Sequence, residues 1–211
     1  MNALLHTVKR GIQRRMLPKE FAPWESVYYY FRKWKRDGLI EEIHDTLVEK
    51  IRISFGKEPT PSVGIIDSQS IKACNVCEGD VGYDGGKKTK GRKRHIVVDT
   101  LGLVMIIVTH ATNIHDSVEA REVMRALKYK YLTGIQKIFA DGGHLGELIE
   151  WVRIQYGWKL EIVKMNETHK FKVLPKRWIV ERTFAWFTFH RRLSKDYERL
   201  PESGIPSSSY P

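Results

Sequence analysis

The chain has 211 residues, 42% of them hydrophobic and 11% aromatic, enough for one domain of ordinary size with a small appendage. Its net charge of +11, carried alongside 25 acidic residues, describes a folded protein with a basic face, for which nucleic acid is the leading partner and anionic membrane the second. No apolar run approaches a membrane span, no signal peptide opens the chain, and two cysteines make no secreted disulfide framework, so a reducing cytosol is expected.

Residues 1–58 read as a small helical module. Pro23 opens a predicted helix over Trp24–Asp37, with Trp24, Tyr28, Phe31 and Trp34 as its aromatics and Gly38 ending it. A second helix follows over Leu39–Phe55, with Ile40, Ile43, Leu47, Val48 and Ile51 on one side. Lys9, Arg10, Arg14, Arg15, Arg32, Lys33, Lys35 and Arg36 make the module basic, which suits contact with DNA ends, dimerisation, or a solvated face over an aromatic core.

After the linker KEPTP the pattern changes. Ser62–Ile66 is a short β-branched run ending at Asp67, and Gly79–Gly91 is Gly-rich and polar, a predicted loop. Arg94–Thr100 and Leu103–Thr109 are strands joined at Leu101-Gly102 as a hairpin. Asp116 and Glu119 form a capping-box-like start for a helix to about Lys130. Lys137–Ala140 is a strand ending at Asp141, Leu145–Tyr156 a helix, and Leu160–Lys164 a further strand. The order predicts a mixed α/β sheet covered by helices.

The last predicted helix opens at Pro175 and runs to about Ser194 without Gly or Pro. At about 100° per residue, Arg177, Ala185, Thr188, Arg192 and Lys195 fall within about 40° of Glu181, a stripe without large apolar side chains. Ile179, Trp186 and Leu193 lie on the opposite face, the one expected to be buried.

Asp67 and Asp141 each end a predicted strand. Adjacent parallel strands would bring the two carboxylates close, where they repel unless a cation lies between them. Hard divalent ions take oxygen ligands, and paired ions can clamp the attacking and leaving oxygens of a phosphodiester. Glu181 is available as a third acid. Lys87–Arg94, KKTKGRKR, holds six basic residues (Lys87, Lys88, Lys90, Arg92, Lys93 and Arg94) and leads directly into a strand, which favours phosphate contacts. Cys74 and Cys77 lack the other two ligands of a zinc site. The glycines at 82, 85, 86 and 91 precede no helix and make no dinucleotide fingerprint. His110 and His115 bracket Asn113 as either supporting groups or parts of a capped loop, and Asp99, at a hairpin, is the expected decoy.

Five stretches in order resemble the transposases of bacterial insertion sequences, in the group named for insertion sequence five. They are MLPKEFAPWESVYYYFRKWKRDG, IIDSQSIK, GYDGGKKTKGRKRHIVVDTLGL, FADGGHLGE and PKRWIVERTFAWF with RRLSKDYERL, spanning Gly11 to Leu200. The resemblance implies a ribonuclease H-like catalytic domain over residues 62–199, preceded by the partial helical module at 1–58. It implies a catalytic, metal-binding triad of Asp67, Asp141 and Glu181 and two divalent ions, Mg²⁺ or Mn²⁺. The implied reaction is cleavage of DNA at terminal inverted repeats, then attack of the freed 3′-hydroxyl on target DNA. Its implied partners are DNA and a second copy of the chain, in the bacterial cytoplasm and on the nucleoid.

Arg177 matches the arginine of the wider family's Y-R-E-K signature, whereas Leu174 and Thr188 stand where that signature has tyrosine and lysine. Arg191, Arg192 or Lys195 would then supply the missing cation, and with Arg177, Arg182 and the basic run would hold the DNA backbone. Arg14 stands where a tryptophan is expected, and His144 where tyrosine is common. An upstream DNA-end-binding part is missing, and residues 200–211, LPESGIPSSSYP, read as a disordered tail. The chain therefore reads as truncated at both ends, which keeps open a DNA-binding remnant without catalysis, or a nuclease of similar fold.

Overall fold

A computed structural model describes residues 1–73, 81–85, 88–113, 116–131, 133–141, 146–163 and 176–197. The elements are α1 (Asn2–Arg10), α2 (Trp24–Arg36), α3 (Leu39–Ser54), β1 (Val63–Lys72), β2 (Gly82–Asp84), β3 (Thr89–Val98), β4 (Val104–Ala111), α4 (Asp116–Lys130), β5 (Lys137–Ala140), α5 (Gly146–Tyr156), β6 (Lys159–Ile162), α6 (Arg177–Thr188) and α7 (Arg191–Ser194). They group into two units, Met1–Pro59 with Trp186–Lys195, and Thr60–Ala185 with the chain from Asp196. The last residues of α6 and all of α7 thus group with the N-terminal helices.

In the smaller unit, α1 ends at Gly11 in the left-handed region (φ 69°), where a Cβ would stand 2.8 Å from Arg191 Cβ. Glycine permits that approach. Arg192 Nη1 donates to the Ile12 carbonyl at 2.9 Å, closing α7 onto the same corner. The predicted bounds of α2 and α3 hold to within a residue, with Gly38 left-handed between them (φ 73°). The guanidinium of Arg14 lies 4.6 Å from the Tyr28 ring centroid, and that of Arg15 5.5 Å from Trp24, so this basic surface is stacked on aromatics. The apolar side expected on α3 is not the buried one. Val48 is buried, whereas Ile43, Leu47 and Ile51 are exposed. A hairpin of two helices buries only the seam where they meet.

The larger unit is built on one sheet. β3 pairs antiparallel with β1, and with β4 and β2 on its other edge, while β1, β5 and β6 run parallel, giving the path β2-β3-β1-β5-β6. Short antiparallel connections join the first strands, and helical crossovers α4 and α5 carry the chain to the parallel ones. This is a ribonuclease H-like order, a mixed sheet flanked by helices.

On one face Ile66, Val97 and Ile138 join a core with Ala120, Val123, Met124 and Leu127 of α4 and Leu148 and Val152 of α5. The opposite face carries Ile65 with its cross-strand partners Val98 and Phe139, since partners in register share a face. α6 buries Ile179, Val180, Thr183 and Phe184. It is fastened to the β3–β4 turn: Thr183 Oγ1 donates to the Gly102 carbonyl at 2.9 Å and Arg182 Nη2 to the Leu101 carbonyl at 2.8 Å.

Several predicted bounds change. β1 continues past Asp67 to Lys72 because β3 pairs with it over that whole length. β3 starts at Thr89, so most of the predicted loop's basic end is strand. Helix α6 stops at Thr188, and α7 is a separate short helix after His190. Trp186 is accordingly 45% exposed instead of buried with Ile179. Glu119 makes no capping box: its Oε2 lies 2.7 Å from His95 Nε2, both side chains fully buried between α4 and the sheet. The expectations for Cys74, Cys77, Gly86, Lys87, His115, His144, Leu174, Pro175 and residues 200–211 lie outside the described residues.

Candidate active site

Each acid is positioned by a different element. Asp67 is the fifth residue of β1, and its register partner on β3 is Ile96. β1 and β5 pair in parallel through Ile65↔Phe139. Two residues further on come Asp67, still in β1, and Asp141, just past the end of β5, so the parallel pairing leads the chain toward both aspartates. Glu181 stands one turn after Arg177 on α6, with a side chain 57% exposed.

Burial is the main influence on the Asp67 carboxyl and raises its pKa, with the charges of Asp141 and Glu181 adding to the rise. The Ser68 N–H, donating to Asp67 Oδ1 at 2.7 Å, and the Arg177 charge oppose it. All three acids and Arg177 therefore share one electrostatic neighbourhood. Arg177 links two of them directly, with Nη2 3.9 Å from Asp141 Oδ2 and Nε 3.2 Å from Glu181 Oε1. It also lines a small hollow with Ile65, Ile66, Phe139, Ala140, Asp141 and Val163. Lys176, just before it, has a left-handed backbone (φ 71°) and sets its ammonium 4.1 Å from the Phe139 ring centroid.

Three carboxylates with no nitrogen or sulfur donor among them suit a hard divalent ion. Among the described residues, no three His, Cys, Asp or Glu side chains lie close enough together to hold one ion. The donor chemistry suits such a cation, and Arg177 is the positive charge set between Asp141 and Glu181.

The basic run divides by burial. Lys88 and Lys90 are exposed, whereas Arg92, Lys93 and Arg94 are buried at 3%, 7% and 4% exposure. Arg92 pairs with Asp196, and Lys93 Nζ lies 3.7 Å from Glu119 on the α4 side. Burial lowers Arg94 to about 10, against the opposing charge of Asp196. These three residues, expected to contact phosphate, are thus buried in the fold, two of them beside carboxylates. Arg191 and Lys195 are exposed, while Arg182 also holds the hairpin turn, its guanidinium 4.8 Å from the Trp178 ring centroid.

Asp99 is a decoy, as expected: fully buried, it accepts the N–H groups of Leu101 and Leu103 at 2.9 Å and shapes the β3–β4 turn. The His95–Glu119 pair was not anticipated. Its signal was present, because Glu119 shares a helical stripe with Val123 and Leu127, both core residues.

Comparison with known families decides the class. A model described as "Transposase DDE domain" matches residues 58–202, more than half of the chain. A second, "Putative transposase of IS4/5 family", matches residues 1–44. The chain belongs to the DDE-domain transposases. Like other members it carries a DDE domain, here with an N-terminal region of its own family match. It is 30% identical over 115 residues to "Putative transposase for insertion sequence element IS402" from Burkholderia cepacia, covering 52% of this chain and 54% of that protein. The chain thus matches about half the length of this curated relative. Among solved structures, the piggyBac transposase synaptic complex with hairpin DNA aligns at TM-score 0.40 and 18% identity, over 81% of this chain and 41% of that one. The Drosophila P element transposase strand transfer complex aligns at TM-score 0.25 and 14% identity, over 48% and 26%. Among the described residues no helix is long and apolar enough to cross a membrane.

Proposed function

We propose that this DDE transposase cleaves DNA strands at the terminal inverted repeats of an insertion sequence and joins them to target DNA, with Asp67, Asp141 and Glu181 as its catalytic carboxylates. The observation that carries the reading is Arg177, whose guanidinium lies 3.9 Å from Asp141 Oδ2 and 3.2 Å from Glu181 Oε1 and whose charge also acts on Asp67. The three acids would hold two divalent ions, Mg²⁺ or Mn²⁺. Bound there, such ions supply an activated attacking oxygen and stabilise the charge on the leaving oxygen.

The chain's own contribution is position. β1 carries Asp67 two residues past its last pairing with β5, Asp141 follows the end of β5, and α6 carries Glu181 with its other face buried. Exposed Lys88, Lys90, Arg191 and Lys195, with Lys87, would contact backbone phosphates and align the strand without reading its sequence. A second copy of the chain on the same DNA belongs to this reading, since two transposon ends must be joined.

The test is a strand-cleavage and strand-transfer assay on repeat-end duplexes with Mg²⁺ or Mn²⁺. Asp67→Asn, Asp141→Asn and Glu181→Gln should each reduce both steps at least ~100-fold while DNA affinity is kept. Full activity in any of the three would remove that residue from the triad. Salt-sensitive DNA binding with no nicking in the unsubstituted chain would favour a DNA-binding remnant instead.

A further inference from the structure

We propose that Arg177 is a built-in counter-cation of the carboxylate triad, competing with divalent ions for Asp141 and Glu181 until they displace it. The inference rests on the reading of Asp67, Asp141 and Glu181 as ion ligands. One guanidinium reaches carboxylates from two elements, 3.2 Å to Glu181 on α6 and 3.9 Å to Asp141 after β5. Its side chain is only 31% exposed and lines the hollow beside Asp141.

The contact is one of charge more than of directed bonds. Although Nε lies at ion-pair distance from Glu181, it is buried and makes no aligned hydrogen bond. A group held without directed bonds can leave without stranding a matched acceptor. A guanidinium and a divalent ion cannot share the same oxygens, because like charges a few ångströms apart in a partly buried site repel strongly. While Arg177 stays, the negative charge of the carboxylates is partly offset and ion loading is weakened. Anything that draws the guanidinium away strengthens loading by the same factor.

The experiment measures Mn²⁺ binding to the full chain without DNA, by the EPR signal of the free ion. Arg177→Gln should bind Mn²⁺ at least about tenfold more tightly than the unsubstituted chain, the scale on which one neighbouring arginine changes a carboxylate's affinity for a proton. Arg177→Lys, which keeps a charge, should change it little. Asp67→Asn marks the site and should weaken binding in both backgrounds.

If Arg177→Gln leaves affinity unchanged or lowers it while Asp67→Asn still weakens it, the counter-cation role is overturned and the ligand reading survives. If Asp67→Asn has no effect on Mn²⁺ binding, both fall together. Should Arg177→Gln fail to fold, the unsubstituted chain answers by NMR. The Arg177 Nε–H resonance, identified by its loss in Arg177→Lys, should exchange faster with water when Mg²⁺ is added. No change at saturating Mg²⁺ overturns the proposal.

Discussion

At the scale of single residues, Asp67 combines a proposed chemical role with a structural cost. Burial raises its carboxyl above the usual aspartate range, with Ser68 and Arg177 only opposing that rise. The sign follows directly. A folded-state acid with a raised pKa binds its proton more readily than the unfolded chain does, so stability falls as pH rises from the unfolded value through the folded one. Asp67→Asn should therefore raise the thermal midpoint at neutral pH, with the gain fading as pH falls below about 4, the ordinary aspartate range. Calorimetry across that range checks it; a loss of stability at neutral pH would contradict the burial account. A variant both more stable and inactive is the usual behaviour of a site that stores unfavourable burial. Arg92, Lys93 and Arg94 show another case, charges that read in sequence as ligands for DNA and lie buried in the fold, with Arg92 paired to Asp196 and Lys93 beside Glu119.

At the scale of elements, the position of Glu181 depends on a contact far from it in sequence. α6 is held to the β3–β4 turn by Thr183 and Arg182, and the turn itself is shaped by Asp99. Gly102 has φ 86°, and a Cβ there would stand 2.9 Å from Arg182 Nη2 and 3.2 Å from Thr183 Oγ1. Gly102→Ala should cost roughly 1–3 kcal/mol in chemical denaturation. It should also lower strand cleavage by moving the helix that carries Glu181. Thr183→Val keeps the shape and loses the hydroxyl, and should cost about 1 kcal/mol with a smaller loss of activity. Unchanged stability in both would show that the turn does not hold α6.

At the scale of the molecule, a net charge of +11 calls for DNA binding that weakens with salt. Fluorescence anisotropy on repeat-end and unrelated duplexes between about 50 and 200 mM salt should show a loss of one to several orders of magnitude. Lys88→Ala with Lys90→Ala should lower the slope of log K against log salt by about 2, and equally on both duplexes, as expected of phosphate contacts. An unchanged slope would remove these two lysines from the interface.

By itself the sequence determined most of the strand and helix order (β2, Gly82–Asp84, fell inside a predicted loop), the family, and the acids worth testing. These are local or linear properties: β-branched runs, glycine stops, and ordered motifs. It also identified Asp99 as a hairpin residue, because the Leu101-Gly102 turn is local. Tertiary structure alone decided which charges are free to act. The pairing of β1 with β3 extended both strands, placed Asp67 mid-strand and buried half of a basic run. The break after Thr188 ended the long helix that its composition suggested. Arg177 reads in sequence as one more cation for DNA. Only the meeting of α6 with β5 places its charge between Asp141 and Glu181, because pairing across such a distance in the chain has no local signature.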